Sequence, residues 1–323
     1  MQVPAPDLSV IIPVYGGKHS IRAIVNRVMQ LYARDHRLEI ILVDDASPDD
    51  AWQELVQLHT EFPQYIHIIQ LMRNFGQHNA LMCGLRHARG RYVITMDDDG
   101  QHPPEEISKL LEAIEQRNAD VVYGVPDARR HAPWRNLGSW VVVSFYKLVF
   151  RTRVTPSAFR VLRREAVDSI LPYDLNYTYL DGLLAWNTDR IVSVAVEHRP
   201  RAEGRSGYSL GKLVQLALNL FTNFSYLPLQ VVSVLGLLVA VFGLGMGGYY
   251  VYRYMAGTIT VPGYASIIVA VLVLGGLQML ALGIIGEYIG RVHININRKP
   301  QYVVRTIIEA KKDSKQQREE ARS

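Results

Sequence analysis

Between Leu227 and Arg253 the chain carries no charged side chain, and between Ala265 and Gly286 it again carries none. Each run is about the ~20 apolar residues that cross a bilayer as a helix. The competing reading is a pair of core helices in a large soluble domain, but two such runs in succession are unusual there. The flanks orient the pair. Arg199, Arg201, Arg205 and Lys212 precede it, Arg291, Arg298, Lys299, Arg305, Lys311 and Lys312 follow it, and Met255 to Tyr264 has no charge. Because basic residues stay on the cytoplasmic side, both ends are expected inside and the connection outside. The expected organisation is a cytoplasmic domain over 1–208, an interfacial amphipathic helix over 209–226 (Leu213, Leu216, Leu220 and Phe224 at helical spacing), spans at 227–254 and 265–289 around an external loop at 255–264, and a cytoplasmic strand segment and charged tail at 290–323.

The basic excess, +5 with an isoelectric point near 9.2, could indicate nucleic acid, but it gathers around the apolar third, which points to a membrane instead. Cys83 is the single cysteine, so no intramolecular disulfide can form, and a reducing compartment is expected. The first apolar run, Leu8 to Val14, is too short for a signal peptide. Lys311 to Ser323 reads as a solvated, disordered tail.

The first two hundred residues alternate short apolar runs with helical periodicity. Strands are expected at Leu8–Pro13, Ile40–Val43, Ile66–Gln70, Tyr92–Met96 and Val121–Tyr123, with helices at Ser20–Tyr32, Gln77–Ala88 and Glu105–Gln116. That alternation implies an α/β domain with parallel strands and helices on both faces. Ligands in such sheets bind beyond the carboxyl ends of the strands. Tyr15, Asp44 and Asp45, Arg73 and Asn74, and Asp97 to Asp99 follow successive strands there.

Asp97, Asp98 and Asp99 are adjacent like charges, which would become neutral unless a cation sits among them. Mg²⁺ or Mn²⁺ suits oxygen ligands and the phosphates of a nucleotide. The bland alternative is an acidic turn that caps the helix near Pro104. Spacing alone leaves both open. His78 and His102 lie nearby without the spacing of a zinc site. The glycines of "GLGMGG" lack the strand that precedes a phosphate-binding loop and fit close helix packing better.

The segments "SVIIPVYGG", "EIILVDDASPDD", "LMRNFGQHNALMCGL", "GRYVITMDDDGQHPPEEI" and "GIIGEYIGRVHININRKPQYVV" together resemble the family 2 glycosyltransferases that act on polyprenyl phosphates. This group includes dolichol-phosphate mannose synthase, bactoprenol glucosyltransferase and undecaprenyl-phosphate formamidoarabinose transferase. The resemblance covers nearly the whole chain. It implies an α/β GT-A (Rossmann-like) catalytic domain, an interfacial helix and two transmembrane helices. It also implies a nucleotide-sugar donor, a divalent cation and a polyprenyl phosphate acceptor. By position, Pro13, Tyr15, Asp45, Arg73, Asp97 and Asp98 would bind the donor, and Asp97, Asp99 and Gln101 would hold the metal. Arg135, Ser139 and Arg201 would face the acceptor phosphate, with Arg205 standing in for a family lysine replaced by Gly207. Relatives assemble as tetramers through C-terminal strands, for which "PQYVVRTI" is the counterpart.

The chain departs from the family in three places. Gly16 and Gly17 stand for asparagine and glutamate, Thr155 stands for the acid of "D-x-G-x-F-R", and Pro126 replaces an arginine. A phosphate acceptor is already anionic near neutrality, with a second pKa of about 6, so it needs cationic positioning more than a strong base. Asp181, in "NYTYLDGLLAW", is the candidate substitute acid, against a plain helix-capping role. The reaction implied is inverting sugar transfer from a uridine-linked donor to undecaprenyl phosphate at the bacterial inner membrane. A non-catalytic membrane adaptor that kept the fold is the alternative. A processive synthase would need more spans and a "QxxRW" segment.

Overall fold

The computed structural model describes residues 6–34, 37–126, 154–174, 178–199, 227–257, 263–297 and 299–311. The chain divides into two compact units, Met1–Gly207 with Pro300–Ser323, and Tyr208–Lys299.

In the first unit the runs LSVIIPV, LEIILVD and IHIIQL form β1 (Leu8–Val14), β2 (Leu38–Asp44) and β3 (Ile66–Leu71). They are buried almost throughout, as strands covered on both faces must be. The helices α1 (Ile21–Tyr32), α2 (Ala51–Glu61) and α3 (Gln77–His87) alternate with them, and β4 (Tyr92–Thr95) follows. A 3₁₀ turn, Pro104–Glu106, leads into α4 (Ile107–Gln116), and β5 (Val121–Pro126) comes next. Beyond residue 153 come β6 (Arg160–Arg163), α5 (Arg164–Ile170), α6 (Leu180–Asn187) and β7 (Ile191–Val196).

One core joins Leu8, Val10, Ile12 and Val14 of β1 to Ile21, Val25 and Val28 of α1, Leu55 and Leu58 of α2, and Leu110 and Ile114 of α4. Because strand side chains alternate, Ile11, Ile41, Val43 and Ile69 point to the other face, where α3 packs against β1 and β2.

The described strands form one sheet in the order β7-β5-β6-β4-β1-β2-β3-β8, where β8 is Val304–Ile308. The parallel pairing expected from the alternation holds for β1 with β2 and β4, and for β2 with β3. Two strands run antiparallel: β6, inserted between β4 and β5, and β8, on the outer edge of β3. The chain places β2 and β3 on one side of β1 and β4 on the other, so the strand order switches between β1 and β4, which is where open α/β sheets bind ligands.

The second unit contains α7 (Leu227–Met255) and α8 (Tyr264–Ile296). Both are long and apolar enough to cross a membrane. Leu237, Phe242 and Leu282 project with more than half of their surface uncovered, an arrangement that water disfavours and lipid does not. The interfacial segment 209–226 lies outside the described residues.

Candidate active site

A cavity of about 220 Å³ opens beyond β1, β2 and β4. Of the residues read from the sequence, Pro13, Tyr15, Asp45, Asp97, Asp98 and Asp99 line it. Asn74, expected beyond β3, joins them, as does Gln77, the first residue of α3, which no local sequence signal marks out.

Asp45 follows the last residue of β2 and is 3% exposed. Its two oxygens accept the backbone N–H groups of Phe75 at 2.7 Å and Gly76 at 2.8 Å. It therefore fixes the start of α3 and faces the cavity with the same carboxylate. Burial pushes its pKa up to about 6, against the lowering effect of those two N–H groups. At the start of α2, Asp49 accepts Ala51 N–H at 3.3 Å, while Ser47 accepts Gly16 N–H at 3.2 Å.

Asp98 Oδ2 accepts the Tyr15 backbone N–H at 3.0 Å. A Cβ at Gly17 would lie 2.3 Å from that oxygen. The glycine at the family's glutamate position is thus what lets Asp98 lean against β1. Asp97 Oδ1 accepts Gln77 Nε2–H at 2.5 Å, a donor from α3 that holds the carboxylate over the cavity. Asp99 Oδ1 accepts Gln101 N–H at 3.0 Å, in a turn where Gly100 has φ +73°. That left-handed turn, easy only for glycine, returns the chain so that His102 comes back beneath the carboxylates.

His102 is 7% exposed and stacks on Phe159, with ring centroids 5.2 Å apart and planes 14° apart. Burial lowers its pKa to about 4, although Asp99 pulls the other way, so the ring is neutral near pH 7. A ring nitrogen of His102 and one oxygen each of Asp97 and Asp99 lie within 4.8 Å of one another. This group of oxygen and nitrogen donors fits a divalent cation. Gln101, expected as a ligand, turns its Nε2 toward the Arg199 carbonyl at 3.5 Å.

The remaining expectations are placed as follows. Arg73 is exposed and stacks over Phe75 at 4.7 Å, beside the cavity lining rather than within it. Asp181 sits in the first turn of α6, not at its cap, and is 5% exposed. It forms an ion pair with Arg160, itself 2% exposed, and accepts Tyr123 O–H at 2.8 Å. The electrostatic reach of Arg160 extends to Asp97 as well. Asp181 thus connects to the carboxylates through a buried guanidinium. Thr155 is half-buried, and Pro126 is exposed at the end of β5. Arg135, Ser139, Arg201 and Arg205 lie outside the described residues.

A sheet whose strand order switches between the parallel neighbours β1 and β4, with carboxylates and a cavity at that point, has the architecture of the GT-A fold. The chain belongs to glycosyl transferase family 2, whose family model matches residues 9–171, and residues 227–292 match that of the GtrB C-terminal hairpin. An uncharacterized glycosyltransferase of Synechocystis sp. is 33% identical, covering 92% of this chain and 94% of its own. The undecaprenyl-phosphate 4-deoxy-4-formamido-L-arabinose transferase of Proteus mirabilis is 31% identical over 97% of each chain. Among solved structures, glucosyl-3-phosphoglycerate synthase of Mycobacterium tuberculosis, in complex with Mn²⁺, uridine diphosphate and glucosyl-3-phosphoglycerate, aligns with a TM-score of 0.52. It is 18% identical and covers 68% of this chain and 80% of its own, a likeness of fold.

Proposed function

We propose that this glycosyltransferase moves a sugar from a uridine diphosphate donor to undecaprenyl phosphate, giving a polyprenyl monophosphate sugar for cell-envelope glycan or lipid A modification. The observation that carries the reading is the carboxylate-lined cavity in a chain that also has two helices of membrane length. Full-length similarity to transferases named for an undecaprenyl phosphate acceptor supports the lipid.

In this reading a phosphate oxygen of the lipid attacks the anomeric carbon as the bond to the nucleoside diphosphate breaks, with inversion. The attacking monoester carries no proton that must be removed near pH 7. The absence of the family acid at Thr155 is therefore compatible with turnover. Asp45 accepts from the base, while Pro13 and Tyr15 wall the pocket. Mg²⁺ or Mn²⁺ held by Asp97 and Asp99 would offset the charge of the donor diphosphate. The family resemblance assigns the acceptor phosphate to Arg135, Ser139, Arg201 and Arg205, and the guanidinium groups among them would hold two anions together. Asp181 acts as a positioning residue, keeping Arg160 in place beneath Asp97. Helices α7 and α8 hold the domain at the cytoplasmic face of the inner membrane, where a very apolar lipid presents its headgroup.

Purified protein in detergent, undecaprenyl phosphate, Mn²⁺ or Mg²⁺ and a panel of nucleotide sugars test this. Nucleoside diphosphate release that needs both lipid and metal, accompanied by a lipid product of the right mass and lost in Asp99→Ala, is the expected result. Undiminished nucleotide binding with no release for any donor would favour the adaptor reading.

A further inference from the structure

The loop between β3 and α3 supplies one wall of the cavity: Asn74 and Gly76 line it together with Gln77, the first residue of α3. Asp45 holds this loop from below through the N–H groups of Phe75 and Gly76. A second support comes from the far end of the chain. The register of β3 against β8 shifts between Gln70 and Leu71, and one residue past the end of β3 the backbone of Met72 is held on both of its polar groups. Its N–H donates to the Val303 carbonyl at 2.8 Å, and its carbonyl accepts from the Arg305 guanidinium at 3.3 Å.

The same segment also holds the helix that follows the loop. Arg86 of α3 lies over the Tyr302 ring at 5.7 Å, and the Tyr302 hydroxyl meets the buried Cys83 thiol of that helix. Gln301 accepts from the Arg86 guanidinium at 3.5 Å. Residues 301–305 therefore grip both the entry to the loop and the helix beyond it, while Gln77 at the start of that helix donates to Asp97.

On the reading of this cavity as the uridine diphosphate site, we infer that Tyr302 and Arg305 are positioning residues for the donor, holding loop 72–76 and the start of α3 in the arrangement that receives the nucleotide. A loop ordered before its ligand arrives spares binding the entropy of ordering it. Arg305 is exposed, so its contact with the Met72 carbonyl can be removed without opening a cavity in the core. In chain order both residues come soon after α8 (Tyr264–Ile296). The donor loop is thus braced by the segment through which the chain rejoins the first unit.

Full-length protein in detergent is titrated calorimetrically with uridine diphosphate in the presence of MnCl₂, and hydrogen exchange across residues 71–79 is followed by mass spectrometry. Arg305→Ala and Tyr302→Ala should each weaken uridine diphosphate by about three- to tenfold, the effect of losing one modest contact. Exchange at Met72, Phe75 and Gly76 should quicken in both and slow again at saturating uridine diphosphate. In turnover the donor KM should rise by the same factor, while kcat and the KM for undecaprenyl phosphate hold. Arg305→Lys, which keeps a charged donor, should recover most of the affinity, and Thr306→Ala, exposed on the same strand, should bind as the unmodified chain does. Unchanged affinity in both Arg305→Ala and Tyr302→Ala, or an equal loss in Thr306→Ala, overturns the inference and leaves the donor site standing. If uridine diphosphate does not bind the unmodified protein, the donor reading falls, and this inference falls with it.

Discussion

Asp45 uses one carboxylate for two tasks, holding the N-terminus of α3 and facing the donor pocket. Only the ionised form accepts from both N–H groups and from a base. With its pKa raised to about 6 by burial, uridine diphosphate affinity should fall as pH drops from 7 to 5, and Asp45→Asn should flatten that step in calorimetric titrations. The same shift has the opposite sign for stability: its contribution is full below the ordinary aspartate range and is lost as pH rises through about 6. Asp181 sets a different constraint. Removing it leaves Arg160 buried and charged, so Asp181→Ala should cost about 3–5 kcal/mol, seen as a lower thermal midpoint in detergent. An unchanged midpoint would mean that water already solvates Arg160. The acidic triplet and Asp45 were legible in the sequence because carboxylates after buried strands are conspicuous. Gln77 was not, since a glutamine starting a helix looks ordinary, and His102 was visible only as a histidine near the site without zinc spacing until the turn at Gly100 folds it inward.

Among elements, β1 to β4 and their helices could be read because apolar period and turn chemistry are local. The strand β6 could not: its sequence, RVLR, begins and ends in arginine, and Arg160 tolerates burial only because Asp181 arrives from α6. The antiparallel places of β6 and β8 likewise depend on partners distant in sequence. For α7 and α8 length and absence of charge sufficed. An arginine at Leu238, exposed in the middle of α7, should cost about 2.5–3.5 kcal/mol of membrane insertion. Fractionation after alkaline carbonate extraction measures it, with more of Leu238→Arg expected outside the membrane pellet than of the unmodified chain. If α7 were instead a helix facing water, the substitution would leave the distribution unchanged or improve solubility.

At the scale of the molecule, the sheet itself constrains the topology. The chain leaves the first unit at Gly207 and rejoins it at Pro300, and β8 then pairs with β3, with Ile68 opposite Ile308 and Gln70 opposite Thr306. An odd number of bilayer crossings would put β8 and β3 on opposite sides, so two crossings agree with the sheet and one does not. The returning segment also docks by side chains: Gln301 is 3% exposed and donates to the Tyr173 carbonyl at 3.1 Å, and Arg86 of α3 lies over the Tyr302 ring at 5.7 Å. A fragment ending at residue 208 therefore lacks an integral edge of its own sheet. It exposes the apolar strand IHIIQL, and an uncovered apolar edge recruits other chains. Each main-chain bond lost is worth about 0.5–1.5 kcal/mol, so β8 as a whole contributes several, and at 2–4 °C per kcal/mol the fragment should melt roughly 10 °C lower. The comparison is between 1–208 alone and 1–208 joined by a flexible linker to 300–311, followed by thermal denaturation and light scattering. The linked form should melt higher and stay monodisperse. Equal midpoints and equal scattering would show that β3 does not need β8, and the sheet would no longer bear on how often the chain crosses the membrane.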